Sequence, residues 1–195
     1  TRYCMTGTSL RARFSCMPWN DKVKCVTCDI HSPDAHEVLS AYNPDILAHL
    51  AWHGLPNYQE AFHFEKNLPA DYNFIKGMVE SGCRHILVTG TCFEYGLQYG
   101  PLSENLSAAP TTPYALAKDT LRRFLMELKK KHPFILQWAR LFYMYGPGQN
   151  PKSLLAQLDS AIDRKERVFN MSGGEQLRDF LPVRSEERRV GKECR

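Results

Sequence analysis

Two stretches carry a tyrosine and a lysine four residues apart: TTPYALAKDT (111–120), with Tyr114 and Lys118, and DYNFIKG (71–77), with Tyr72 and Lys76. On a helix, side chains at i and i+4 share a face, with roughly 5–6 Å between Cβ atoms. Such a pair can move a proton, because the phenol gives or takes it and the ammonium beside it favours the phenolate. The chain holds 9 tyrosines, so the spacing alone decides nothing and the surroundings must separate the two pairs. Tyr72 falls in an apolar stripe with Phe64, Leu68, Ile75 and Val79, which reads as packing. Tyr114 falls in the first turn of a helix opened by Thr112 as N-cap and Pro113 at N1, after a polar loop that follows Thr89, Gly90 and Thr91. Tyr114 is therefore expected beside a strand end, and its pair is the one expected to carry chemistry.

The elements that would position these residues alternate. DKVKCVTCDI (21–30) is β-rich and ends near Asp29; a short helix follows over 34–42; NPDILAHLAW (43–52) reads as a buried strand. A loop over 54–60 leads into a helix over 61–81, stopped by Gly82. RHILVTGT (84–91) is a second buried strand, and the helix over 113–131 carries Leu116, Leu121, Phe124, Leu125 and Leu128 on its apolar side. FILQWARLFYMYG (134–146) reads as a third buried strand, 153–166 as an amphipathic helix and VFNM (168–171) as a short strand. Strands alternating with helices at this spacing predict an α/β fold with a parallel sheet flanked by helices. Ligands bind such sheets at the carboxyl ends of the strands, where Asp29, Ala51, Trp52, residues 89–91 and residues 142–145 fall.

Composition narrows the function classes. With 43% hydrophobic and 24% charged residues over 195, the chain fits a globular domain. No run approaches the ~18 apolar residues of a membrane span, and the first residues lack the apolar core of a signal peptide. The 7 cysteines are scattered and odd in number, which favours reduced thiols and a cytoplasmic setting. The net charge of +4 invites nucleic acid as a partner, but the last twelve residues, RSEERRVGKECR, hold five basic and three acidic side chains. Without them 20 basic residues face 18 acidic ones, and the lysines 129–131 fit a helix C-terminus, so no nucleic-acid partner is expected. That tail reads as the translation of an adapter oligonucleotide, with a charged natural terminus as the alternative. Cys25 and Cys28 have no second pair, and the histidines form no ligand spacing, so no metal is expected.

TGTCFEYG (89–96), PYALAK (113–118), ARLFYMYGPGQ (139–149) and LRDFLPV (177–183) together resemble, in order and spacing, the extended short-chain dehydrogenase/reductases of the NAD-dependent epimerase/dehydratase family. The run HLAWHGLPNY is similar to the nucleotide-sugar 4-ketoreductase and epimerase branch, which includes dTDP-6-deoxy-talose 4-dehydrogenases. The resemblance implies an incomplete Rossmann-like sheet over 17–146, the start of a small substrate domain over 147–183, NAD or NADP as cofactor and a nucleotide sugar as substrate. It leaves room for a homodimer. It also implies hydride transfer at a 4-keto or 4-hydroxy centre, with Tyr114 as acid/base, Lys118 beside it and bonded to the nicotinamide ribose, and Thr91 orienting the substrate oxygen. A free tyrosine titrates near pH 10, so work near pH 7 asks for a downward shift of about three units, or about 4 kcal/mol. By the same resemblance Asp29 and Ile30 would meet the adenine, and Leu50, Ala51, Trp52, Asn67 and Thr89 would line the cofactor. Tyr143 and Arg178 would meet the substrate, the latter at its diphosphate. A non-catalytic nucleotide- or RNA-binding protein on the same fold is the alternative.

The resemblance has gaps. Thr6-Gly7-Thr8 superficially resembles the start of the family's Gly-x-x-Gly-x-x-Gly loop, yet no glycine follows at the needed spacing. Residues 1–16 are therefore expected to be truncated or non-native, 184–195 to be the foreign tail, and the fragment to turn over little. Tyr143 stands where most relatives carry asparagine.

Overall fold

The computed structural model describes residues 24, 26, 28–98, 100–171, 173 and 178–183. The readings made for residues 1–16, for the tail 184–195 and for most of the strand over 21–30 lie outside the described residues. The chain divides into two compact units, Thr1–Arg140 and Leu141–Arg195.

In the first unit, α1 (Ala35–Ser40) precedes β1 (Ile46–His49), a π-helical turn (His63–Asn67) runs straight into α2 (Leu68–Glu80), and β2 (His85–Thr91) follows. A 3-10 turn (Cys92–Tyr95), α3 (Pro113–Lys131) and β3 (Ile135–Leu141) complete it. The strands form one sheet in the order β1-β2-β3, and β1 pairs parallel with β2, from Ile46 opposite His85 to His49 opposite Val88. Thr112 accepts the Ala115 N–H at 3.1 Å through its hydroxyl and Pro113 opens the first turn of α3, the start expected from sequence. Gly82, at φ 104°, ends the excursion after α2 in a conformation that side chains resist.

The core joins Phe74, Ile75, Met78 and Val79 of α2 to Ile86 and Val88 of β2 and to Leu121, Leu125 and Leu128 of α3. Burying each Leu or Ile contributes roughly 1.5–3 kcal/mol, which ties both helices to the sheet.

Three expectations need correction. Leu116 and Phe124 are 49% and 45% exposed and Phe64 is 41% exposed; a wide apolar stripe has two edges, and only the Leu121–Leu125–Leu128 edge meets the sheet. Of the expected buried strands only β2 alternates deep burial along its length, because β1 and β3 flank it and keep Ile46 and Ile135 outward. The strand expected over 134–146 breaks at Phe142, and no strand forms over 168–171. Instead, in the second unit, β4 (Tyr143–Tyr145) pairs parallel with β5 (Phe180–Pro182), with α4 (Leu154–Asp163) between them in the chain.

Candidate active site

The residues at the end of β2 and the start of α3 converge. Thr91, the last residue of β2, caps the 3-10 turn: its hydroxyl accepts the Phe93 N–H at 3.3 Å, and its own N–H donates to Glu94 Oε1 at 2.9 Å. The Thr91 side chain also acts on the Tyr114 phenol, favouring its ionised form. Lys118, one turn further along α3, is 1% exposed, and its Nζ donates to the Thr89 carbonyl at 2.8 Å. Thr89, Thr91, Tyr114 and Lys118 thus lie around the end of β2 and the first turns of α3.

Aromatic rings enclose Tyr114. Trp52 meets it edge-on at 6.0 Å, His63 at 5.3 Å, Tyr58 at 5.4 Å and Phe93 at 6.4 Å between centroids. The Tyr114 N–H, one of the free donors of a helix start, goes to the Tyr58 carbonyl at 3.1 Å. Burial pushes the Tyr114 phenol up to about 12; the neighbouring Thr91 side chain opposes this, and Tyr58, Glu94 and Cys92 add to it. Burial brings the Lys118 ammonium down to about 8, against the attraction of Asp71 and Glu94. This reverses the expected downward pull on the tyrosine. The ammonium spends its contacts on the Thr89 carbonyl and the Trp52 face, at 4.1 Å from the ring centroid, and the surrounding rings strip water from the phenol.

Other expected positions are scattered more widely. Asn67 is fully buried and donates through Nδ2 to the His53 carbonyl at 2.9 Å, while its Oδ1 has no hydrogen-bond partner. Asp29 is exposed and accepts the His31 N–H at 3.0 Å, a turn contact rather than a helix cap. Ile30 packs on the core cluster, Leu50 is 61% exposed and Ala51 is half-buried. In the second unit, Arg178 lies over the Tyr143 ring at 4.4 Å, so the two expected substrate contacts adjoin each other.

The epimerase-type motifs are therefore set out on an α/β fold with a threonine, a tyrosine and a lysine gathered at a strand end. The model of the NAD dependent epimerase/dehydratase family matches residues 3–184. The chain belongs to that family. It is 32% identical over 157 residues to a dTDP-6-deoxy-L-talose 4-dehydrogenase (NAD(+)) of Aggregatibacter actinomycetemcomitans, a match covering 77% of this chain and 58% of that protein. Among solved structures, MoeE5 in complex with UDP-glucuronic acid and NAD superposes with a TM-score of 0.72 at 26% identity, over 87% of this chain and 57% of that one. A UDP-glucose 4-epimerase from Thermotoga maritima, solved with UDP-glucose, gives a TM-score of 0.77 over 96% of this chain and 71% of that one; at 17% identity it speaks for the fold alone. The chain thus spans little more than half the length of the curated relative.

Within this epimerase/dehydratase frame, sequence reasoning missed several buried groups. Glu94, fully buried, accepts from Trp138 Nε1 at 3.1 Å and from Arg140 Nε at 2.7 Å, and Arg140 reaches the Tyr95 hydroxyl at 3.1 Å. His49 Nε2 lies 2.6 Å from Asp71 Oδ1, both side chains buried, though the contact is poorly aligned for a hydrogen bond. His63 is fully buried between Trp52 and Asn57. A charged or imidazole side chain at an otherwise apolar helix position was the available signal for Asp71 and His63. The local signal for Glu94 was its capping-box spacing after Thr91; nothing local marked its other partners, which lie 44 and 46 residues along the chain.

Proposed function

We propose that this chain carries the proton-transfer centre of a nucleotide-sugar oxidoreductase or epimerase that uses NAD or NADP. The observation that supports it most directly is Lys118, buried one turn along α3 from Tyr114, with its Nζ on the Thr89 carbonyl at 2.8 Å, two residues before Thr91 at the end of β2. In this reading Thr91 orients a sugar oxygen toward Tyr114, and Tyr114 gives or takes the proton on that oxygen. The raised phenol favours the acid half of the cycle: a tyrosine that stays protonated at neutral pH is ready to deliver its proton to an alkoxide.

The residues present suit a nicotinamide cofactor at one end. Asn67 Oδ1 is a buried acceptor with no partner, and Trp52, Thr89 and Lys118 meet where the strands end. Those residues would hold the nicotinamide-ribose half, and Asp29 and Ile30 the adenine. The bound nicotinamide supplies the hydride or accepts it, and in its oxidised form it adds a positive charge. The curated talose dehydrogenase and the NAD complex of MoeE5 point to the same cofactor class. Arg178, a guanidinium fork suited to phosphate oxygens, is the proposed diphosphate contact, with Tyr143 beside it.

The test is an assay of NAD(P)H oxidation with dTDP- and GDP-linked 4-keto sugars, on the chain and on its longer genomic form where one exists. Tyr114→Phe should cost at least 10²-fold in turnover, the usual worth of a positioned acid/base. Unchanged turnover in that variant sinks the proposal.

A further inference from the structure

Lys118 is an ammonium almost wholly withdrawn from water, and an unpaired buried charge is costly. Its Nζ donates to one carbonyl, that of Thr89, and otherwise rests over the Trp52 indole, 4.1 Å from the ring centroid. A flat ring supports a cation only while its face stays turned toward it. Here the ring is pinned. Trp52 Nε1–H donates to His63 Nδ1 at 3.0 Å, and the two rings lie nearly parallel, with an interplanar angle of 19°. Asn67 Nδ2 also approaches His63 Nδ1, at 3.5 Å, so that nitrogen faces two donors and must be the acceptor. The proton then sits on Nε2, which meets the Asn57 carbonyl at 2.8 Å. His63 is thereby fixed by its own second nitrogen. Both rings of this assembly also touch Tyr114.

We propose that His63 and Trp52 are positioning residues of the proton-transfer centre: His63 locks the indole, and the indole face holds the Lys118 ammonium in place at the end of β2, one turn along α3 from Tyr114. The catalytic meaning of this platform rests on the function proposed above. The other charged and titratable groups acting on Lys118 are Asp71 of α2 and Glu94 of the 3-10 turn, with His49 of β1 set against Asp71. Asp71 and Glu94 act on the charge from a distance, and the Trp52 face is the group in contact with it.

The platform can be read without turnover. In the chain labelled with ¹³C at lysine Cε, the Lys118 methylene should resonate upfield of the other lysines, because it lies over the indole face. Its identity is checked by its loss in Lys118→Arg, and it should titrate near pH 8. Trp52→Leu should abolish the upfield shift and lower the midpoint by roughly one pH unit, the worth of a desolvated cation–π contact. His63→Asn keeps an oxygen where Nδ1 stood and should preserve both signals, whereas His63→Gln, which restores only the bond to Asn57, should lose most of the shift. If the leucine variant fails to fold, the asparagine–glutamine comparison and the wild-type spectrum still decide. An unshifted Lys118 signal in the wild-type chain, or a midpoint unmoved in folded Trp52→Leu, overturns the platform. Retained hydride transfer in Tyr114→Phe would overturn the proposed function while leaving the lysine titration as it is, so the two failures read out separately.

Discussion

At the scale of single residues, Tyr114 and Lys118 are displaced in opposite directions, and both displacements favour the neutral form. Lys118 titrates at about 8 instead of its ordinary 10.5. Between those values the unfolded chain binds more protons than the folded one, so stability rises with pH across that window and is lost as pH falls through 8. Tyr114 is raised from 10 to about 12, so its contribution is intact below pH 10 and lost as pH climbs toward 12. Urea midpoints of the wild-type chain should therefore climb from pH 8 to pH 10 and decline above it. Lys118→Met should remove the climb, on the order of 3 kcal/mol, and Tyr114→Phe should remove the decline. A Lys118→Met profile that runs parallel to wild type would show that the ammonium is not the group responsible.

At the scale of elements, the 3-10 turn that follows β2 sets the conformation of Thr91 and is held from below by a buried carboxylate. Glu94 closes the capping box on Thr91 and receives Trp138 and Arg140 from β3. Breaking a buried pair by removing one partner typically costs about 3–5 kcal/mol, so Arg140→Met should lower the unfolding free energy by that much. Thr112→Ala, which removes the N-cap of α3, should cost only about 1 kcal/mol. Chemical denaturation of the two variants measures the difference; equal losses would mean that Glu94 is satisfied without Arg140. The contrast also marks what was legible. Thr112-Pro113 is a local signal and reads directly as a helix start. Glu94 sits in a four-residue turn with no periodicity, and its partners come from a strand far along the chain. Periodicity likewise placed α2 and α3 but not their buried edges: Leu116 and Phe124 fit the stripe by spacing and remain half-exposed.

At the scale of the whole molecule, the ordered motifs carried the family and the α/β fold, because glycines, prolines and strand-end hydroxyls recur where the backbone must turn toward a ligand. Tyr114 and Lys118 stood out in the sequence for that reason. The aromatic enclosure that raises the tyrosine did not, since Trp52, Tyr58 and His63 come together only when the 54–60 loop folds over the start of α3. The same view bears on cofactor affinity. Family members are expected to cradle a dinucleotide diphosphate on backbone N–H groups at a glycine-rich helix start, and this sequence contains no Gly-x-x-Gly-x-x-Gly run. The chain also spans 58% of the talose dehydrogenase relative. With Trp52, Thr89 and Lys118 proposed to hold the nicotinamide end, binding should be weakened rather than redirected. Titrated with NADH and followed by nicotinamide fluorescence, the 195-residue chain should bind at least about tenfold more weakly than that relative, a loss of about 1.4 kcal/mol or more. Trp52→Leu should weaken it further, because the ring lies where the nicotinamide-ribose half is proposed to sit. Equal affinity of chain and relative would overturn this expectation and mean that the diphosphate finds its donors elsewhere in the chain.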